Sequence, residues 1–126
     1  MLKRTKRGFT LVELMVVMAI IALLLALALP RYFNHLETSK ETILKQDLAV
    51  MRDAIDKYHG DRGRYPDSLD ELVSARYLRS LPVDPITDRV DTWQIVAPPG
   101  EEAGAMYDIR SGAPGAARDG TAYADW

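Results

Sequence analysis

Sixteen consecutive apolar residues, Leu14 to Leu29, constrain this chain more than any other feature. From Phe9 to Leu29 only Thr10 and Glu13 interrupt the run. As a helix, that stretch is about 31 Å long at 1.5 Å per residue, close to the hydrocarbon thickness of a bilayer. Core helices of small domains are amphipathic; this one is apolar on all sides and suits lipid or a helical bundle. Lys3, Arg4, Lys6 and Arg7 precede it with no acid among residues 1–8, a bias that predicts a cytoplasmic N-terminus. A cleaved secretory signal is the rival reading. However, Pro30-Arg31-Tyr32 follows the run in place of a small-residue cleavage site, so a retained span is expected. Glu13 is the anomaly, because an ionisable group in hydrocarbon costs about 2.5–3.5 kcal/mol on insertion scales. The chain must supply a partner that offsets this.

At 126 residues there is room for one small folded domain beside the span. Net charge is −2, and without residues 1–8 it falls to −6, from 12 basic and 18 acidic side chains. Such an acidic body argues against nucleic-acid binding, which needs a basic surface. Cysteine is absent, which excludes disulfides, thiol nucleophiles and Cys-based zinc sites. His59 lies between Asp56 and Asp61, but at an expected helix C-terminus and without a second nitrogen or sulfur ligand. Neither it nor His35 reads as a metal ligand. No serine has a base and an orienting group in sequence context, so catalysis finds no support and the chain is not read as an enzyme.

Beyond the span, Pro30 removes one backbone donor and crowds the carbonyl of Ala26, which predicts a kink. Helical periodicity resumes after it. Leu44, Leu48, Met51, Ile55 and Tyr58 follow 4-3-4-3 spacing, with Leu36 and Ile43 extending the stripe, and Lys40, Lys45, Asp47, Arg52, Asp53 and Lys57 opposite. One helix from about Phe9 to about His59 is expected, stopped by Gly60 and Gly63. In "YPDSLDELVSARYL", Ser68 and Glu71 form a capping box before a short helix whose apolar side is Leu69, Leu72, Val73 and Leu78. "LPVDPITD" reads as an irregular loop, and "DTWQIVA" with "AMYDIR" as a hairpin. Trp93, Tyr107 and Tyr123 are expected to form an aromatic core between hairpin and helix. The tail "SGAPGAARDGTAYADW" is too rich in Gly, Ala and Pro for regular structure, and a contact between Asp119 and Thr121 would be an Asx-type turn. The hairpin and short helix must pack on the amphipathic half of the long helix, giving an α+β class.

The stretch "KRGFTLVELMVVMAIIALLLALALP" resembles the N-terminal signature of type IV pilins and type II secretion pseudopilins. "GRYPDSLDELV", "LPVDPITD", "DTWQIV" and the closing "SGAP…DGT.Y.DW" further resemble the major, G-type pseudopilins. The resemblance implies a pilin-like fold in three parts: a cleaved basic leader at 1–8, a transmembrane assembly helix at 9–29 and a periplasmic globular domain at 30–126. It implies cleavage between Gly8 and Phe9 by a prepilin peptidase and N-methylation of Phe9. It implies that Glu13 meets the N-terminal amine of a neighbouring subunit during assembly, a buried pair that sets register because a misplaced subunit leaves two charges unpaired. The implied partners are copies of the chain in a filament, an inner-membrane assembly platform and minor pseudopilins. The implied role is a pseudopilus subunit that drives protein export across the outer membrane. Two other functions compete with it. One is a type IV or competence-type pilin for adhesion or DNA uptake; the other is a monomeric membrane-anchored binding module, which would have no need of Glu13.

Two positions depart from the pattern. Many relatives carry Gly at Ala22, in a segment implied to unwind in filaments, and alanine favours helix over glycine by about 1 kcal/mol. Many G-type pseudopilins also hold calcium in an acid-rich C-terminal loop. The candidates here are Ser111, Asp119 and Asp125, with Asp108 earlier; calcium takes about six to eight oxygens, so backbone carbonyls or waters would fill most of the shell.

Overall fold

The computed structural model describes residues 8–126. Lys3, Arg4, Lys6 and Arg7 of the expected leader lie outside the described residues. The element order is α1 (Leu11–Arg62), α2 (Leu69–Ser74), β1 (Gln94–Val96), β2 (Asp108–Arg110) and a short 3-10 turn at Tyr123–Asp125. This is the expected α+β class: a long apolar helix, a short helix and a two-stranded antiparallel sheet. The chain divides into two compact units at Glu37 and Thr38.

The first unit holds the apolar part of α1. Among the described residues α1 is the one helix long and apolar enough to cross a membrane. Every residue from Gly8 to Lys40 is exposed. The helical assignment runs through Pro30, whose lost hydrogen bond does not end the element.

The second unit has its own core. Leu44, Leu48, Met51, Ala54, Ile55 and Tyr58 of α1 are buried. Leu69 and Leu72 of α2, together with Leu78, Trp93, Met106 and Ile109, close over them. The 4-3-4-3 stripe is therefore the core face. Its expected extension is not, since Leu36 is 42% and Ile43 47% exposed. Ile43 sits roughly 100° around the helix from Leu44, and α2 and the hairpin are too small to reach that far. Gly60 is helical, so the stop falls at Gly63, which has φ +69 and donates its N–H to the His59 carbonyl at 2.9 Å.

At α2, Ser68 Oγ accepts the N–H of Glu71 at 3.2 Å, and the Glu71 carboxylate accepts the N–H of Asp67 at 2.7 Å, one residue before the cap. The expected capping box thus forms with its second bond displaced by one residue. Leu78 lies beyond the helix, which ends at Ser74, yet still enters the core. The hairpin pairs Gln94 with Arg110, Ile95 with Ile109 and Val96 with Asp108. Gly112 runs close beside it, where an added Cβ would meet the Thr92 carbonyl oxygen at 1.9 Å. The aromatic core differs from expectation. Trp93 is buried and donates from Nε1 to the Pro82 carbonyl at 2.9 Å, but Tyr107 is 44% exposed and Tyr123 only partly covered. The fully buried aromatic ring is Tyr58 on α1.

Candidate functional site

The start of α1 is built from residues Gly8 to Val17. Thr10 Oγ1 accepts the backbone N–H of Glu13 at 3.1 Å, and Glu13 Oε2 accepts the N–H of Thr10 at 3.4 Å. Each side chain satisfies one of the helix's orphan donors, a reciprocal capping box. The arrangement also sets the carboxylate at the positive end of the helix dipole. Glu13 therefore has a partner inside its own chain, which lowers the cost of keeping it at the edge of the apolar run. The signal for this was the Thr-x-x-Glu spacing, the same pattern that marks Ser68–Glu71. Gly8 and Phe9 precede the helix, and Phe9 is 87% exposed.

In the second unit, Tyr58, Arg64 and the Asp67 N–H converge on Glu71. The buried Tyr58 hydroxyl donates to Glu71 Oε1, and Arg64 Nη2 approaches the same oxygen at 2.6 Å. These bonds, that from Tyr58 first, hold the Glu71 carboxyl down from its ordinary 4.5 to about 2. His59 stacks on Tyr65, with ring centroids 4.1 Å apart, as a packed helix-end histidine.

The C-terminal candidates do not form a common donor set. Ser111 is fully buried; its hydroxyl donates to Asp84 Oδ2 at 2.6 Å and accepts the Ala113 N–H at 3.1 Å. Asp119 Oδ1 accepts both the N–H and the hydroxyl of Thr121, at 3.0 and 2.6 Å, an Asx-type turn. Those bonds, with the Lys45 charge nearby, hold the Asp119 carboxyl below its usual value. Asp125 is exposed on the 3-10 turn, and Asp108 is bound by Arg52 Nε at 2.8 Å. No group of three His, Asp or Glu side chains among the described residues is placed to hold a metal ion. These residues do not supply the acid-rich shell that calcium favours: the Ser111 hydroxyl is buried and bonded to Asp84 and Ala113, and no three acids among the described residues converge.

Two residues that organise this region escaped the sequence reading. Asp84 lies in the loop read as irregular, yet it is fully buried; besides Ser111 it accepts the N–H groups of Ile86 at 2.8 Å and Thr87 at 3.4 Å. An Asp placed to accept from the backbone two residues on is an Asx turn, so "DPIT" carried a weak signal. Asp47 of α1 is pushed up by burial and then by the Asp84 charge. Arg52, expected on the solvent face of α1, is half-buried. Its guanidinium binds Asp108 and, through Nη2, the backbone oxygens of Ile109 at 3.0 Å and Trp126 at 2.6 Å.

The amino-acid sequence is matched by relatives. Residues 3–29 match the prokaryotic N-terminal methylation motif. The chain is 35% identical over 101 residues to type II secretion system core protein G of Pseudomonas aeruginosa, covering 68% of this chain and 71% of that protein. It belongs to the core protein G family. Core protein G of Escherichia coli K12 is 30% identical over 125 residues, covering 86% of this chain and 82% of that one. The type IV major pilin PilA of Myxococcus xanthus is 38% identical over 66 residues, but only 30% of that protein is covered. No solved structure matches. As a core protein G relative, the chain has residues 11–29 of its methylation motif in the helix that the structure leaves exposed.

Proposed function

We propose that this chain is a structural subunit of a type II secretion pseudopilus, polymerising through residues 9–29 to drive export across the outer membrane. The observation that carries the reading is the uncovered segment from Gly8 to Lys40, joined to a domain with a closed core. An apolar helix exposed on all sides is satisfied by lipid before assembly and by copies of itself after it. The leader at 1–8 is removed by a prepilin peptidase between Gly8 and Phe9, and Phe9 is methylated. The N-terminus is cytoplasmic, and residues 30–126 form the periplasmic domain of an inner-membrane protein. An assembly platform and minor pseudopilins act with it. The pilin alternative has less support, because the PilA match covers less of both chains than the core protein G matches do.

Glu13 has two states in this reading. In the membrane its carboxylate is held by the Thr10 N–H. In the filament it meets the Phe9 amine of a neighbour, and the exchange sets register because a subunit out of step leaves both charges without partners. Glu13→Gln separates the two roles. The amide oxygen still accepts from Thr10, while the charge is gone. Comparing processed protein in membranes with sheared filaments, we expect normal insertion and cleavage but loss of filaments for Glu13→Gln and Glu13→Ala. Filaments at wild-type yield from Glu13→Gln would leave Glu13 as a helix cap alone and overturn the charge pairing.

A further inference from the structure

We propose that the C-terminal segment of this chain, residues 111–126, is closed by an internal polar lock that takes the place of a calcium ion. A cation in such a loop has two physical tasks: it neutralises converging carboxylates, and it ties together segments distant in sequence. Here neither task is open. No three acids among the described residues converge, and Asp119 Oδ1 is engaged twice within its own turn. The tying is done by Arg52. Its planar fork reaches the Asp108 carboxylate and the backbone oxygens of Ile109 and Trp126, a cation bound to three oxygens from two remote segments.

The rest of the segment is held from the same helix. Glu41 accepts the Arg118 N–H at 2.9 Å, and Lys45 Nζ lies 4.7 Å from the centre of the Trp126 ring. Trp126 Nε1 in turn donates to Thr121 Oγ1 at 2.8 Å. At the head of the segment, Ser111 is anchored to Asp84, so the loop around residue 84 and the tail share one buried hydrogen-bonded pair. A guanidinium is always charged and always present, whereas a metal contributes only in proportion to its concentration and affinity. The order of this segment is therefore independent of calcium.

The test uses the full mature chain in detergent micelles and follows tryptic cleavage after Arg110 and Arg118, in EGTA and in calcium at about 1 mM, enough for weak extracellular sites. Wild-type rates are expected to be equal in the two conditions. Arg52→Met should raise them about tenfold in both, since loss of a charged multidentate donor frees the tail. Arg52→Lys keeps the charge but loses the fork and should fall between. Calcium that slows wild-type cleavage, or binds the wild-type protein in a calorimetric titration, would overturn the proposal. So would Arg52→Met cleaved no faster than wild type. The wild-type arm decides the matter even for a variant that does not fold.

Discussion

Ile55 and Ile43 are a matched pair on α1, one fully buried and the other 47% exposed. Replacing each with Ala removes the same three carbon atoms, so the chemistry is constant and only the surroundings differ. At Ile55 the lost transfer energy is about 0.8 kcal/mol per methylene, roughly 2.4 kcal/mol in all. The cavity term adds to this, because Leu48, Met51 and Tyr58 are themselves buried in the same cluster and cannot all relax inward. The expected cost of Ile55→Ala is about 3–5 kcal/mol, a large part of the roughly 5–15 kcal/mol that holds a small domain together. At Ile43 the side chain is half in solvent and no cavity forms, so Ile43→Ala should cost less than about 1 kcal/mol. Urea unfolding of the mature chain in detergent, followed through Trp93 and Trp126, measures both. Equal costs would mean that the helix is rotated or that Ile43 packs on something, and the core assignment would fail.

Two further outcomes are expected. Intact-mass analysis of membrane-extracted protein should show loss of residues 1–8 and gain of one methyl group on Phe9; retention of the leader, or cleavage after Ala28, would refute the processing site. The depressed carboxyl of Glu71 stabilises the fold when ionised, so its contribution is complete above about pH 4.5 and is lost as pH falls toward about 2. Allowing for its access to solvent, this amounts to about 1–2 kcal/mol. Glu71→Gln should flatten the acid limb of a pH–stability profile by that amount, against the opposite trend from Asp47, whose carboxyl is pushed up. An acid limb unchanged in Glu71→Gln would show that the Tyr58–Arg64 cluster is not coupled to folding.

Local rules made much of this protein legible before any coordinates. The apolar run names a helix long enough to span a bilayer, because helical rise over its length matches the hydrocarbon thickness. The 4-3-4-3 stripe names a core face because helical geometry places Leu44 to Tyr58 on one side. The cap at Ser68 and the turn at Asp119–Thr121 depend on atoms within a few residues of each other, so their patterns are complete in the sequence. Glu13 is conspicuous for its charge, which points to a distant partner, while its bonds to Thr10 are equally local and follow from the Thr-x-x-Glu spacing.

What only the tertiary structure decided is which residues from distant segments share a site, and how far the core extends. Ile43 reads as an extension of the stripe but lies beside it on α1, where α2 and the hairpin leave it half exposed. Arg52 has the composition of a surface residue and becomes a tether because Asp108, Ile109 and Trp126 fold back onto it. Asp84 lies in a proline-rich loop and is drawn out of water by Ser111, far along the chain. The calcium candidates follow from the family resemblance of the C-terminal loop, and the structure bonds Ser111 to Asp84 and Asp119 to Thr121. A side chain's partners across the fold depend on where chain reversals place it, and no periodicity in the sequence encodes that.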